Sequence, residues 1–97
     1  MKGKASAQTS SGYGYTPEDP IKVGGGTRGE REYLERLRGP AGQQLRYERR
    51  GSCSPPFTGG VLDMYEVTYD GLQRPVTLYL DMYHREDLRA PAGFRLE

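Results

Sequence analysis

The run VLDMYEVTYDGLQRPVTLYLDMY, from Val61 to Tyr83, decides the fold class of this 97-residue chain. Two segments dense in β-branched and aromatic residues, Val61–Tyr69 and Val76–Tyr83, flank Asp70-Gly71-Leu72-Gln73-Arg74-Pro75. That pattern predicts an antiparallel hairpin. Setting Tyr69 opposite Val76 places Val67 against Leu78 and Tyr65 against Leu80. Val61, Tyr65, Val67, Tyr69, Val76, Leu78, Leu80 and Met82 then share one apolar face. The other face carries Leu62, Met64, Glu66, Thr68, Thr77, Tyr79, Asp81 and Tyr83. A one-residue slip would set Glu66 opposite Leu78 on the apolar face, so the first register is preferred.

The strongest helix signal lies upstream of the hairpin. Thr27 and Glu30 have the spacing of a T-x-x-E capping box. Tyr33, Leu34 and Leu37 form one stripe at helical spacing, and Gly39-Pro40 supplies a stop. The expected helix is 28–38, about three turns. A helix this short is marginal alone and must lay its stripe on the sheet. Gln43–Arg50 alternates, with Leu45 and Tyr47 on one side, and reads as a further strand. Residues 51–60 are rich in Gly, Ser and Pro and read as a loop. Ile21-Lys22-Val23 reads as a short extended segment. Leu88–Phe94, interrupted by Pro91 and Gly93, is expected to run along the sheet edge, with Phe94 able to return to the core. The expected architecture is α+β: one helix on a small antiparallel sheet of three to four strands. It occupies residues 17–97, with 1–16 a polar, disordered linker.

Composition narrows the function classes. The net charge of +1 gives no field for nucleic acid or an anionic membrane. Seven Arg against four Glu between Thr27 and Arg50 are balanced by four Arg against seven acids from Val61 onward. Nucleic acid is therefore not expected as a partner, despite the basic and aromatic mixture Arg46-Tyr47-Glu48-Arg49-Arg50. One cysteine, Cys53, rules out an intramolecular disulfide. No apolar run is long enough to cross a membrane as a helix. Tyrosine, with eight residues against two Phe and no Trp, supplies most of the large apolar surface. Its hydroxyl needs water or a partner, so the core is expected to be thin and open on one side.

Three constellations have chemical content. Gly24-Gly25-Gly26 ahead of Thr27 offers backbone amides at a helix start, which can hold a phosphate or carboxylate. No P-loop or dinucleotide motif accompanies it, and a flexible turn explains the same glycines. Cys53, His84 and Asp81 or Asp87 provide the residue types of a nucleophile, base and orienter. A buried small hydrophobe at Cys53 and a solvated surface imidazole at His84 are the commoner roles for these residues. Asp81, Glu86 and Asp87 lack the spacing of a calcium loop, and one His with one Cys cannot close a zinc site. No metal and no cofactor is expected.

Four stretches carry a family resemblance. They are Pro20-Ile21-Lys22-Val23-Gly24-Gly25-Gly26, Gly39-Pro40-Ala41-Gly42, Arg50-Gly51-Ser52-Cys53, and the paired Leu62–Tyr69 and Leu78–Tyr83. Together they resemble the small, uncharacterised, exported proteins of Bacteroidetes-type bacteria, many of them predicted lipoproteins. The resemblance spans most of residues 20–94. It implies an exported domain, periplasmic or membrane-anchored, with no established activity. Some members carry the label 2-dehydro-3-deoxyphosphooctonate aldolase. That enzyme is a TIM barrel of ~200–250 residues, so the label does not fit 97 residues. The family pattern often has a second Cys after the first; here Ser54 follows Cys53, which argues against a required dithiol or metal pair. The chain shows neither the apolar segment of an export signal nor a lipidated N-terminal Cys. Membrane attachment is thus expected only through a lipid anchor outside this chain.

The resulting expectation is a monomeric, non-catalytic envelope domain that binds a protein partner or gives structural support. Its surface would be the second hairpin face: Leu62, Met64, Glu66, Tyr79 and Tyr83. The alternative is an anion-binding module or a Cys-dependent enzyme using Gly24–Gly26, Cys53 and His84.

Overall fold

In the computed structural model, which describes residues 12–55 and 60–97, the Val61–Tyr83 run forms the expected hairpin from β4 (Leu62–Thr68) and β5 (Val76–Asp81). The other elements are β1 (Ile21–Lys22), α1 (Gly26–Arg36), β2 (Leu37–Arg38), β3 (Arg46–Cys53) and β6 (Arg95–Leu96). The fold is α+β. A four-stranded sheet has the order β1-β5-β4-β3, and a two-stranded ribbon joins β2 to β6. The hairpin and β3 are antiparallel, but β1 joins the edge of β5 in parallel, so the sheet is mixed. The expected linker residues 1–11 and the loop residues 56–59 lie outside the described residues.

The hairpin register differs from the expected one by two residues. Val67 pairs with Val76, Tyr65 with Leu78 and Asp63 with Leu80. A slip of two keeps every side chain on its face, so hydrophobic alternation cannot distinguish the two registers. Tertiary contacts do distinguish them. Tyr69 has left the ladder and meets Phe94 edge-on, with ring centroids 5.6 Å apart. Val61 is also outside the strand, 36% exposed, rather than on the core face.

The helix begins and ends two residues before its expected bounds. Gly24, Gly25 and Gly26 all have left-handed φ, between 65° and 71°, and Gly25 is the N-cap. No side chain caps the helix, and Thr27 lies within its first turn. The capping-box reading of Thr27 and Glu30 is therefore overturned. Glu30 is fully buried and receives a hydrogen bond from the Tyr65 hydroxyl. At the other end, Leu37 and Arg38 turn into extended pairing with Leu96 and Arg95, which ends the helix at Arg36.

Strand β3 keeps the expected length of eight residues but lies three residues later than Gln43–Arg50. A bulge between Arg49 and Gly51 lets the ladder continue through Ser52 to Cys53. The extra residue, Arg50, is left unpaired, and pairing resumes at Gly51 opposite Met64. The core lies between α1 and one face of the sheet. It contains Ile21, Val23, Tyr33, Leu34, Leu37, Tyr65, Val67, Leu78 and Leu80. Tyr13 belongs to it as well, fully buried beneath the Arg89 guanidinium, which sits 4.1 Å from the ring centroid. The folded body thus begins earlier than Pro17: Gly14 already accepts a backbone bond from Tyr79 of β5.

Candidate functional site

The sheet has a covered face and an outer face, and the expected partner-binding residues lie at different depths of the outer one. Alternation along β4 directs Leu62, Met64 and Glu66 to the same side, opposite to Tyr65 and Val67. Tyr79 of β5 pairs with Met64. Met64, Glu66 and Tyr79 are half-buried. Glu66 is ion-paired at 3.4 Å to Arg50, which also reaches Glu48 at 3.3 Å. Tyr83, just past β5, is 63% exposed. Leu62 is only 2% exposed, which corrects its reading as a surface residue. It forms part of a cleft of about 300 Å³ shared with Pro17, Pro20, Lys22, Asp81 and His84. The short β1 and the turn before it approach this end of the sheet, which covers Leu62.

At the cleft the Asp81 carboxylate organises the turn that follows β5. Its Oδ1 accepts the backbone N–H groups of Tyr83 at 2.8 Å and His84 at 3.1 Å. Its Oδ2 accepts His84 Nδ1 at 2.8 Å. A short acidic side chain bonded to the amides two and three residues on is a standard turn-forming device. The imidazole is thereby fixed in orientation while remaining largely exposed. It can bond a polar group in the cleft.

The Cys53–His84 arrangement does not assemble. Cys53 is the cross-strand partner of Leu62, and β4 separates β3 from β5. Two strand spacings amount to about 10 Å, with Leu62 between the thiol and the Asp81–His84 pair. His84 Nδ1 is committed to Asp81, and no hydrogen bond joins His84 to Cys53 among the described residues.

In the glycine loop, two of the amides proposed for an anion are committed within the fold. The Gly24 and Gly26 amides donate to the carbonyls of Asp81 and Met82 at the end of β5, both at 3.2 Å. Left-handed backbone turns these donors inward, where they tie the helix start to the sheet. Thr27 is exposed, and its side chain caps nothing. Gly29, to which the sequence reading gave no role, has a clear one. A Cβ there would collide with the Gly24 carbonyl oxygen, so the first helical turn can fold back on the loop only without a side chain.

The cluster that the sequence reading missed lies under the helix. Glu30 and Asp63 are both buried, one on α1 and one on the core face of β4. Tyr65 donates to Glu30 Oε1 at 3.0 Å, and Arg49 Nη2 donates to Asp63 Oδ1 at 3.0 Å. Burial pushes the Glu30 carboxyl up to about 8, a shift increased by hydrogen bonding with Asp63. Burial, together with the bond to Glu30, pushes Tyr65 up to about 12. Position parity offered a signal for Asp63, which has the odd-numbered placement of Tyr65 and Val67. Glu30 gave no such signal, because its spacing from Thr27 was already explained by a cap. No group of three or more His, Cys, Asp or Glu able to hold a metal ion occurs among the described residues.

Comparison of the chain with protein-family models, with curated proteins and with solved structures gave no match.

Proposed function

We propose that this chain is a non-catalytic binding domain of the cell envelope, acting as a monomer through the outer face of its sheet. The observation that supports this most directly is the uneven placement of the tyrosines. Tyr13 and Tyr33 are fully buried, whereas Tyr83 presents 63% of its surface beside the half-buried Met64 and Tyr79. Tyrosine is favoured at protein interfaces because it adds a large apolar ring and a polar tip with few rotatable bonds. The ion pairs of Arg50 with Glu48 and Glu66 would form a polar margin beside that patch. An exported location accords with the sequence resemblance.

A capture experiment tests the reading. The wild-type domain and a Met64→Ser/Tyr79→Ser/Tyr83→Ser variant are immobilised and exposed to envelope extract. An Arg31→Ala/Glu35→Ala variant, altered on the exposed helix face, serves as the control. The expected result is a partner retained by the wild type and the control and lost with the triple variant, while circular dichroism is unchanged. A partner retained equally by all three would show that the outer face is not the binding surface.

A further inference from the structure

We infer that Glu30 and Asp63 share a single buried proton, and that this proton clamps α1 to the sheet as a pH-responsive device.

The geometry consists of two buried carboxyl groups, Glu30 on α1 and Asp63 on the core face of β4, within hydrogen-bonding reach of each other. Each has one oxygen satisfied by an outer donor: Glu30 Oε1 by Tyr65 and Asp63 Oδ1 by Arg49. The remaining oxygens, Glu30 Oε2 and Asp63 Oδ2, are fully buried and have no hydrogen-bond donor. Two carboxylates supply only acceptors, so neither oxygen can satisfy the other while both groups are ionised. One proton resolves this: Glu30 becomes a donor to Asp63, and a continuous chain runs from Arg49 through Asp63 and Glu30 to Tyr65. Two acids in contact that retain one proton between them are a well-understood consequence of like-charge repulsion.

The charges around the pair fix which group holds the proton. Arg49 of β3 is ion-paired directly to Asp63, whereas Glu30 is bonded to the neutral phenol of Tyr65 and feels the Arg49 charge only as a weaker influence. Glu30 is therefore the group that holds the proton. From β5 the core face contributes Val76, Leu78 and Leu80, none of which titrates. When the proton leaves to solvent, a second negative charge appears in the core beside Asp63. The helix can relieve it only by moving Glu30 towards water.

The direction follows from linkage. The folded state binds this proton more tightly than the unfolded chain does, so the contribution is fully present below the usual glutamate range. It is lost as pH rises through the folded value near 8. Within that window the folding equilibrium constant falls by up to about tenfold per pH unit.

Two measurements on the intact chain test the clamp. In wild-type protein, carbon NMR of the Glu30 carboxyl should titrate near pH 8, and α1 amide protection factors should fall across the same range. Glu30→Gln supplies a permanent donor to Asp63 and keeps the acceptor for Tyr65. It should abolish the pH dependence of helix protection while remaining folded. A Glu30 midpoint in the ordinary range near 4.5 would overturn the inference. So would unchanged helix protection through the titration, or a Glu30→Gln variant with the wild-type pH response. Should that variant fail to fold, the wild-type titration decides alone.

Discussion

The two faces of one sheet have opposite characters in this molecule. On the covered face, Val67, Leu78 and Leu80 are fully buried against Tyr33, Leu34 and Leu37, and even the carboxyl groups of Glu30 and Asp63 are withdrawn from water. On the outer face, Met64, Glu66 and Tyr79 stay half-exposed and Tyr83 projects into solvent. Both faces come from the same alternating strands, so composition alone does not separate their roles. The difference is whether a helix covers the face. A covered position contributes to stability through desolvation and close packing, while an open one is free to contact something else.

The largest test of this contrast is Leu78→Ala. The side chain is fully buried, and its loss should cost about 3 kcal/mol through lost transfer energy and a residual cavity. In a small domain that is a large share of total stability, and it should appear as a lower urea midpoint. Next comes Gly29→Ala. On helix propensity alone this exchange stabilises by about 1 kcal/mol. Here the added methyl meets the Gly24 carbonyl, so the net result should be a loss of about 1–2 kcal/mol from overpacking. A gain in stability would show that the glycine loop is not held against the helix.

Tyr65→Phe probes the buried acids without changing the packing volume. It removes the donor to Glu30 Oε1 and should cost about 1–2 kcal/mol, the usual penalty for an orphaned buried acceptor. It should also move the Glu30 titration to still higher pH, because the Tyr65 bond opposes the upward shift. The smallest effect belongs to Tyr83→Ser on the outer face. Thermal stability should change by no more than about 0.5 kcal/mol, while partner capture weakens. A large stability loss there would erase the distinction between the two faces.

Much of the fold was legible in the sequence where local chemistry and tertiary demand agree. The hairpin, its face assignment and the stripe Tyr33, Leu34, Leu37 follow from periods of two and 3.6 residues. Legibility failed where one residue type satisfies two explanations. Glu30 fits a capping box, yet its carboxyl is bonded to a strand 35 residues away. Gly51-Ser52-Cys53 fits a loop, yet a bulge absorbs the irregularity and the ladder continues. Leu62 fits an exposed hairpin face, yet it lies in the cleft with Pro17 and Pro20. The Asp81–His84 bond is local and three residues long, but only the turn's geometry reveals that the same carboxylate also caps the Tyr83 amide.

By itself, the sequence determined that Val61–Tyr83 pairs as a hairpin and which side of each strand is apolar, because alternation is a local property of extended chain. Only the tertiary structure decided the register, the ends of the helix and the partner of Glu30. A two-residue slip leaves alternation unchanged, so the choice falls to distant contacts such as Tyr69 on Phe94. Likewise, a carboxyl reveals whether it caps a helix or shares a buried proton only once the sheet has been brought beneath it.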